Sequence, residues 1–174
     1  MLKRFALLPI AVSLCSTPVL AATVTGNLTV TATIQESCHL DSTAGGSLGN
    51  ALIDFGTISS FATAVDADTT TAGGAALSII CTDGTTYDVS AALGNNPDGA
   101  QRRMVNTSSA TDYLPYDLYA DAAYATLIDN STAFYSGTGN GQTQAINLYG
   151  RIPAGTLLPA AGSYNDLVVL TVTY

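Results

Sequence analysis

Basic side chains are what this sequence most lacks. Five Lys and Arg stand against thirteen Asp and Glu, with one histidine and no tryptophan. A nucleic-acid partner requires clustered cations to neutralise phosphates, so that class is excluded. Two of the five cations, Lys3 and Arg4, precede an apolar run at 5–14, and residues 19–21 read Val-Leu-Ala. This order predicts a signal peptide over 1–21, cut after Ala21. Beyond it only Arg102, Arg103 and Arg151 remain, and three cations against thirteen acids leave a net charge of −10. No lysine is left, which excludes isopeptide-linked and sortase-joined assemblies.

Long hydrophobic runs are absent too. The leader's run is broken by Pro9, and no later stretch approaches the roughly 20 apolar residues of a membrane helix. No membrane insertion of the mature chain is expected. Catalytic groups are equally scarce: His39 is the single histidine, and the acids are scattered through turns. No catalytic residue, no enzyme activity and no cofactor are expected. Glycines 137, 139 and 141 lack the following helix of a phosphate site. Asp66 and Asp68 lack a calcium loop's glycine and terminal glutamate, and are read as solvated loop carboxylates. Arg102 and Arg103 are expected to pair with nearby carboxylates.

Of three cysteines, Cys15 leaves with the leader. Cys38 and Cys81, alone in an oxidising compartment, most simply form one disulfide. It would close a loop of about 43 residues, contributing on the order of 4 kcal/mol. A two-cysteine metal site is the alternative. His39, adjacent to Cys38 in a strand, would point to the opposite face, so no metal is expected.

What is plentiful is Ala, Thr, Gly, Ser and Asn, arranged in short alternating runs. Residues 24–34 place Val24, Gly26, Leu28, Val30, Ala32 and Ile34 on one face and Thr or Asn on the other, the pattern of a half-buried strand. Strands are also predicted at 51–59, 75–81, 85–93, 113–121, 134–135, 142–150 and 168–174. Val168, Leu170, Val172 and Tyr174 share one face of the last. Turn-rich loops are predicted at 41–50, 62–74, 94–99 and 154–162, and a helical turn at 122–126. Pro115 suggests an edge or strand-start position. Short strands between Gly, Asn, Ser and Pro turns indicate an all-β sandwich.

Several landmarks then fall in a familiar order: Arg103-Met104, the run 113–121 (Tyr-Leu-Pro-Tyr-Asp-Leu-Tyr-Ala-Asp), 149–153 (Tyr-Gly-Arg-Ile-Pro), and 162–166 (Gly-Ser-Tyr-Asn-Asp) before a terminal aromatic. Together with the cysteine pair they resemble the spore coat protein U domain family, and within it the major subunit of an archaic chaperone–usher pilus. The resemblance implies an incomplete immunoglobulin-like β-sandwich that lacks one strand and is completed by donor-strand exchange. It implies a donor segment at 22–31 and a sandwich domain at 32–174. Val24, Gly26, Leu28 and Val30 would face a neighbour's groove, with Ala32 at the boundary. Val168, Leu170, Val172 and Tyr174 would border this subunit's own groove. The implied partners are identical subunits, a periplasmic chaperone and an outer-membrane usher, and the implied location is a cell-surface pilus serving adhesion and biofilm formation.

Two other readings compete. One is a spore-coat or other cell-surface structural protein. The other is a carbohydrate-binding β-sandwich module using Tyr113, Tyr116, Tyr119 and Tyr124 as stacking surfaces.

Overall fold

The computed structural model describes residues 22–40, 51–71, 74 and 76–174. The expected signal peptide and the expected loop at 41–50 lie outside the described residues, as does part of the loop at 62–74. The chain is all-β, and no helix occurs among the described residues. In particular, none there is long and apolar enough to cross a membrane. Residues 34–174 make one compact unit.

Three sheets surround one hydrophobic cluster. The first joins β1 (Cys38–Leu40), β3 (Leu77–Cys81) and β8 (Thr143–Ile146), in the order β1-β3-β8. The second runs β10 (Tyr164–Asn165), β5 (Arg102–Asn106), β6 (Ser109–Tyr119), β9 (Tyr149–Ile152), β2 (Val65–Asp68). The third is β11 (Leu170–Thr173), β4 (Thr86–Ala91), β7 (Tyr135–Thr138). All named pairs are antiparallel. Alternation is translated directly into burial: Tyr87, Val89 and Ala91 of β4, and Leu114, Tyr116 and Leu118 of β6, all point into the core.

Cys38 and Cys81 are disulfide-bonded, which leaves neither as a metal ligand. They face each other as the first Cα pair of the β1–β3 ladder.

Several expectations are corrected. The stretch 62–74 contains strand β2, whose Asp66 lies opposite Arg151 and takes two hydrogen bonds from it at 2.6 and 2.8 Å. Asp68 accepts from the Thr70 and Thr71 N–H groups, so neither acid is simply solvated. Residues 102–106, outside every predicted strand, form β5. The expected strand 142–150 is two strands in different sheets. The chain crosses between them at Asn147 and Leu148, fixed by Thr69, which exchanges backbone and hydroxyl hydrogen bonds with Leu148 at 3.1 Å each. Residues 122–126 are a turn, not a helical one: the Asp121 carboxylate collects the N–H groups of Ala123, Ala125 and Thr126, and Tyr124 adopts φ 55°. Pro115 lies within β6, where the ladder to β9 covers only Asp117–Tyr119, so one flank there needs no donor.

Candidate strand-binding groove

Two extended stretches lack the pairing that their alternation leads one to expect. Of the strand expected at 51–59, residues 53–59 belong to no paired strand, and Leu52 carries only an isolated bridge. Ala51, Ile53 and Phe55 nonetheless turn inward and pack on the core, while Leu52 is 53% exposed. Phe55 and Ile53 settle over β9, where only a glycine leaves room: a Cβ on Gly150 would lie 2.9 Å from Phe55.

The second stretch is the C-terminal run. It leaves the five-stranded sheet at β10 and joins β4 as β11, at the edge of another sheet. Between the two strands, residues 166–169 pair in no named strand. Leu167 and Val169 point outward, 65% and 58% exposed, while Val168 and Leu170 pack on the core. One flank of β11 is paired to β4, and the other has no ladder partner among the described residues.

These stretches are the lips of an open groove of about 340 Å³. Ala51, Ile53 and Phe55 from the first stretch line it, as do Tyr164, Val168 and Leu170 from the C-terminal run. Met104, Tyr116, Leu118 and Leu148 line it as well. The apolar faces fit the alternate side chains of an added strand, and the flank of β11 left unpaired offers main-chain groups to it.

The C-terminal lip is pinned at one end by Asp166. Its carboxylate accepts from the Tyr116 hydroxyl at 2.7 Å and from the Asn95 N–H at 2.9 Å. Gly94, at φ +90°, abuts that carboxylate and leaves no space for a Cβ. Burial raises the Tyr116 pKa, and its hydrogen bond to Asp166 raises it further. Arg102, in β5, is 3% exposed. Instead of pairing with a carboxylate, as expected, it donates to the Ala92, Ile128 and Asp129 carbonyls. Burial lowers its pKa against the opposing pull of nearby acids. Arg103 does pair with an acid, Asp98, at 3.1 Å.

Of the border residues expected from sequence, Val168 and Leu170 line this groove. Val172 stands opposite Val89 in the β11–β4 ladder. Tyr174 lines a different hollow, with Tyr87 and Ser136. The lip residues Ala51, Ile53 and Phe55 are visible in the sequence as an alternating run, a pattern shared with an ordinary paired strand. Val24, Leu28 and Val30 are 96%, 88% and 82% exposed, and Gly26 and Ala32 are also exposed. No strand is formed at 22–33.

The tyrosines proposed as a sugar platform have other occupants. Tyr116 is buried, the Arg103 guanidinium covers the Tyr113 ring at 4.3 Å, and that of Arg151 covers Tyr124 at 3.9 Å. Tyr119 meets Tyr124 edge-on, with centroids 5.5 Å apart.

The sequence matches the Spore Coat Protein U domain over residues 24–171. It is 34% identical over 168 residues to Protein U of Myxococcus xanthus, covering 90% of this chain and 88% of that protein. The fold is similar to a chain in the crystal structure of the CsuC–CsuE chaperone–tip adhesion subunit pre-assembly complex from archaic chaperone–usher Csu pili of Acinetobacter baumannii. There the TM-score is 0.52 at 21% identity, over 82% of this chain and 40% of that one, so this chain spans less than half of its length.

Proposed function

We propose that this chain, which belongs to the Spore Coat Protein U domain family, is a structural subunit of an extracellular pilus assembled through donor-strand exchange. Residues 22–31 are the donor. Val24, Gly26, Leu28 and Val30 enter the groove of the preceding identical subunit, and Ala32 marks the border with the sandwich domain. Before assembly a periplasmic chaperone occupies this groove, pairing along 168–174, and an outer-membrane usher hands the subunit to the fibre. The completed pilus stands at the cell surface and supports adhesion and biofilm formation. No catalytic step, metal or cofactor enters this reading.

The observation that carries it is a mismatch within one chain: an apolar groove between two lips with unpaired stretches, and an exposed alternating segment of suitable chemistry. An exposed groove and strand edge invite aggregation, which gives the chaperone its purpose. A coat-layer role would use the same groove without a dedicated chaperone and usher, so genes for both beside this one separate the two readings.

Deleting residues 22–31 and coexpressing the product with the chaperone is the direct test. The expected product is a folded, chaperone-bound subunit that never polymerises. A truncated chain that fails to fold, or an intact chain that is a stable lone monomer, overturns the proposal.

A further inference from the structure

Strand β1 is three residues long, and its ladder to β3 starts at the Cys38–Cys81 pair, followed by His39 with Ile80 and Leu40 with Ile79. The disulfide therefore sits on the first rung. Just ahead of it, the Thr82 N–H donates to the Ser37 carbonyl at 2.9 Å, and the Ser37 N–H to the Thr82 hydroxyl at 3.2 Å. β3 is the middle strand of its sheet, and its Leu77, Ile79 and Cys81 are fully buried. On the far side of Leu40 the sequence runs through residues 41–50 straight into Ala51, Ile53 and Phe55, one lip of the groove.

We propose that the Cys38–Cys81 bridge is a load anchor: it passes tension from the leading segment into β3 and keeps that tension off the lip at 51–55. This rests on the donor-strand reading, in which the leading segment is gripped by a neighbour and pulled whenever the fibre is stretched. A pull on the N-terminal end of β1 meets the rungs of its antiparallel ladder one after another. Each is of modest net strength in water, so three in sequence resist little. A covalent bond at the first rung closes that route. Without it, tension peels off 38–40, continues through 41–50 and reaches a lip with no ladder of its own. That lip helps to hold the next subunit's strand, so the groove opens and the joint lets go. The bridge thus keeps giving a strand mechanically separate from receiving one.

Stretching assembled wild-type fibres in an optical trap, before and after reduction with a phosphine, tests this, with thiol labelling to verify that the bridge is open. Reduced fibres are expected to lengthen in steps of at most about 45 Å per subunit, the contour of the chain from Cys38 to Ala51. They should also break at lower force than oxidised ones. Fibres carrying Cys38→Ser and Cys81→Ser should behave as the reduced ones do. Adding His39→Cys and Ile80→Cys moves the bridge one rung along exposed and half-buried positions, and should restore the oxidised curve. If the serine variant does not fold, reduction of preformed fibres decides the question. Identical curves before and after reduction overturn the load anchor and leave the pilus reading standing. A wild-type chain that forms no fibres with its chaperone and usher overturns both.

Discussion

The floor around Arg102 and the lips of the groove are built on opposite rules. In the floor, β5 and β6 pair along their length, and the buried guanidinium supplies donors to three carbonyls that turns would otherwise strand. At the lips, apolar side chains are half sunk, their outward neighbours are in water, and stretches of backbone run without a ladder. On the donor-strand reading proposed above, the contrast separates where the fold is finished from where another chain finishes it. A polar group buried without a partner is costly, so the floor closes every account internally. The lips keep that cost low by leaving their outward side chains in water.

The largest expected effect comes from spoiling the incoming strand while leaving the fold alone. Leu28→Asp alters a residue that is 88% exposed, so chaperone-bound yield should not change. Joining would bury an unpaired carboxylate in an apolar groove, so fibre formation should be lost entirely, as read by electron microscopy and by SDS-resistant ladders. Leu170→Asp places the charge in the groove itself and should abolish chaperone co-purification as well. Fibres from either variant would break the comparison.

Next comes the floor. Arg102→Met keeps the bulk but leaves the Ala92, Ile128 and Asp129 carbonyls without their donor. The expected loss is about 3 kcal/mol, from roughly 1–3 kcal/mol per stranded buried group. Chemical denaturation of the chaperone-free, strand-complemented subunit measures it. An unchanged midpoint would show that water replaces the guanidinium.

The mildest effect is that of pH. Thr70, through its hydroxyl and then its N–H, lowers the Asp68 pKa, and the Thr126 N–H lowers that of Asp121. The N–H groups of Ser131 and Thr132 hold Asp129 at about 2 against an ordinary 3.8. A carboxylate more acidic in the folded chain stabilises above its unfolded value, and that stability is lost as pH falls towards 2. Tyrosines act in the opposite sense. Burial, with Tyr135 adding to it, pushes Tyr87 from 10.0 up to about 12, and Tyr116 is raised as well. Their contribution is full below pH 10 and is lost as pH rises through 12. The denaturation midpoint should therefore be flat from about pH 4 to pH 10 and fall on both sides. Tyr87→Phe should flatten the alkaline limb only.

Strands β4 and β6 are legible in the amino-acid order, because they alternate cleanly and bury what they alternate. β2 and β5 are not. Val-Asp-Ala-Asp and Arg-Arg-Met-Val-Asn carry charges that strands disfavour on average, and each finds its partner only in the fold: Arg151 faces Asp66 across the sheet, and Arg102 donates to the Ile128 carbonyl outside it. The 142–150 run hid a change of sheet, since an alternating pattern records which way a side chain faces and not which sheet it faces from. The same limit applies to the groove. Ala51, Ile53 and Phe55 alternate like any core strand, and the absence of a neighbour leaves no mark on the strand itself.

The three arginines after Arg4 all lie inside β-strands, Arg102 and Arg103 in β5 and Arg151 in β9, and no lysine follows Lys3. Trypsin-like enzymes cut after these residue types and need several residues of backbone freed from a sheet to do so. No loop among the described residues, however long or glycine-rich, offers them a cleavage point. Digestion should therefore begin only when β5 or β9 is torn from its sheet, and material exposed to such proteases outside the cell should outlast the unfolded chain by as much as its sheets outlast unfolding.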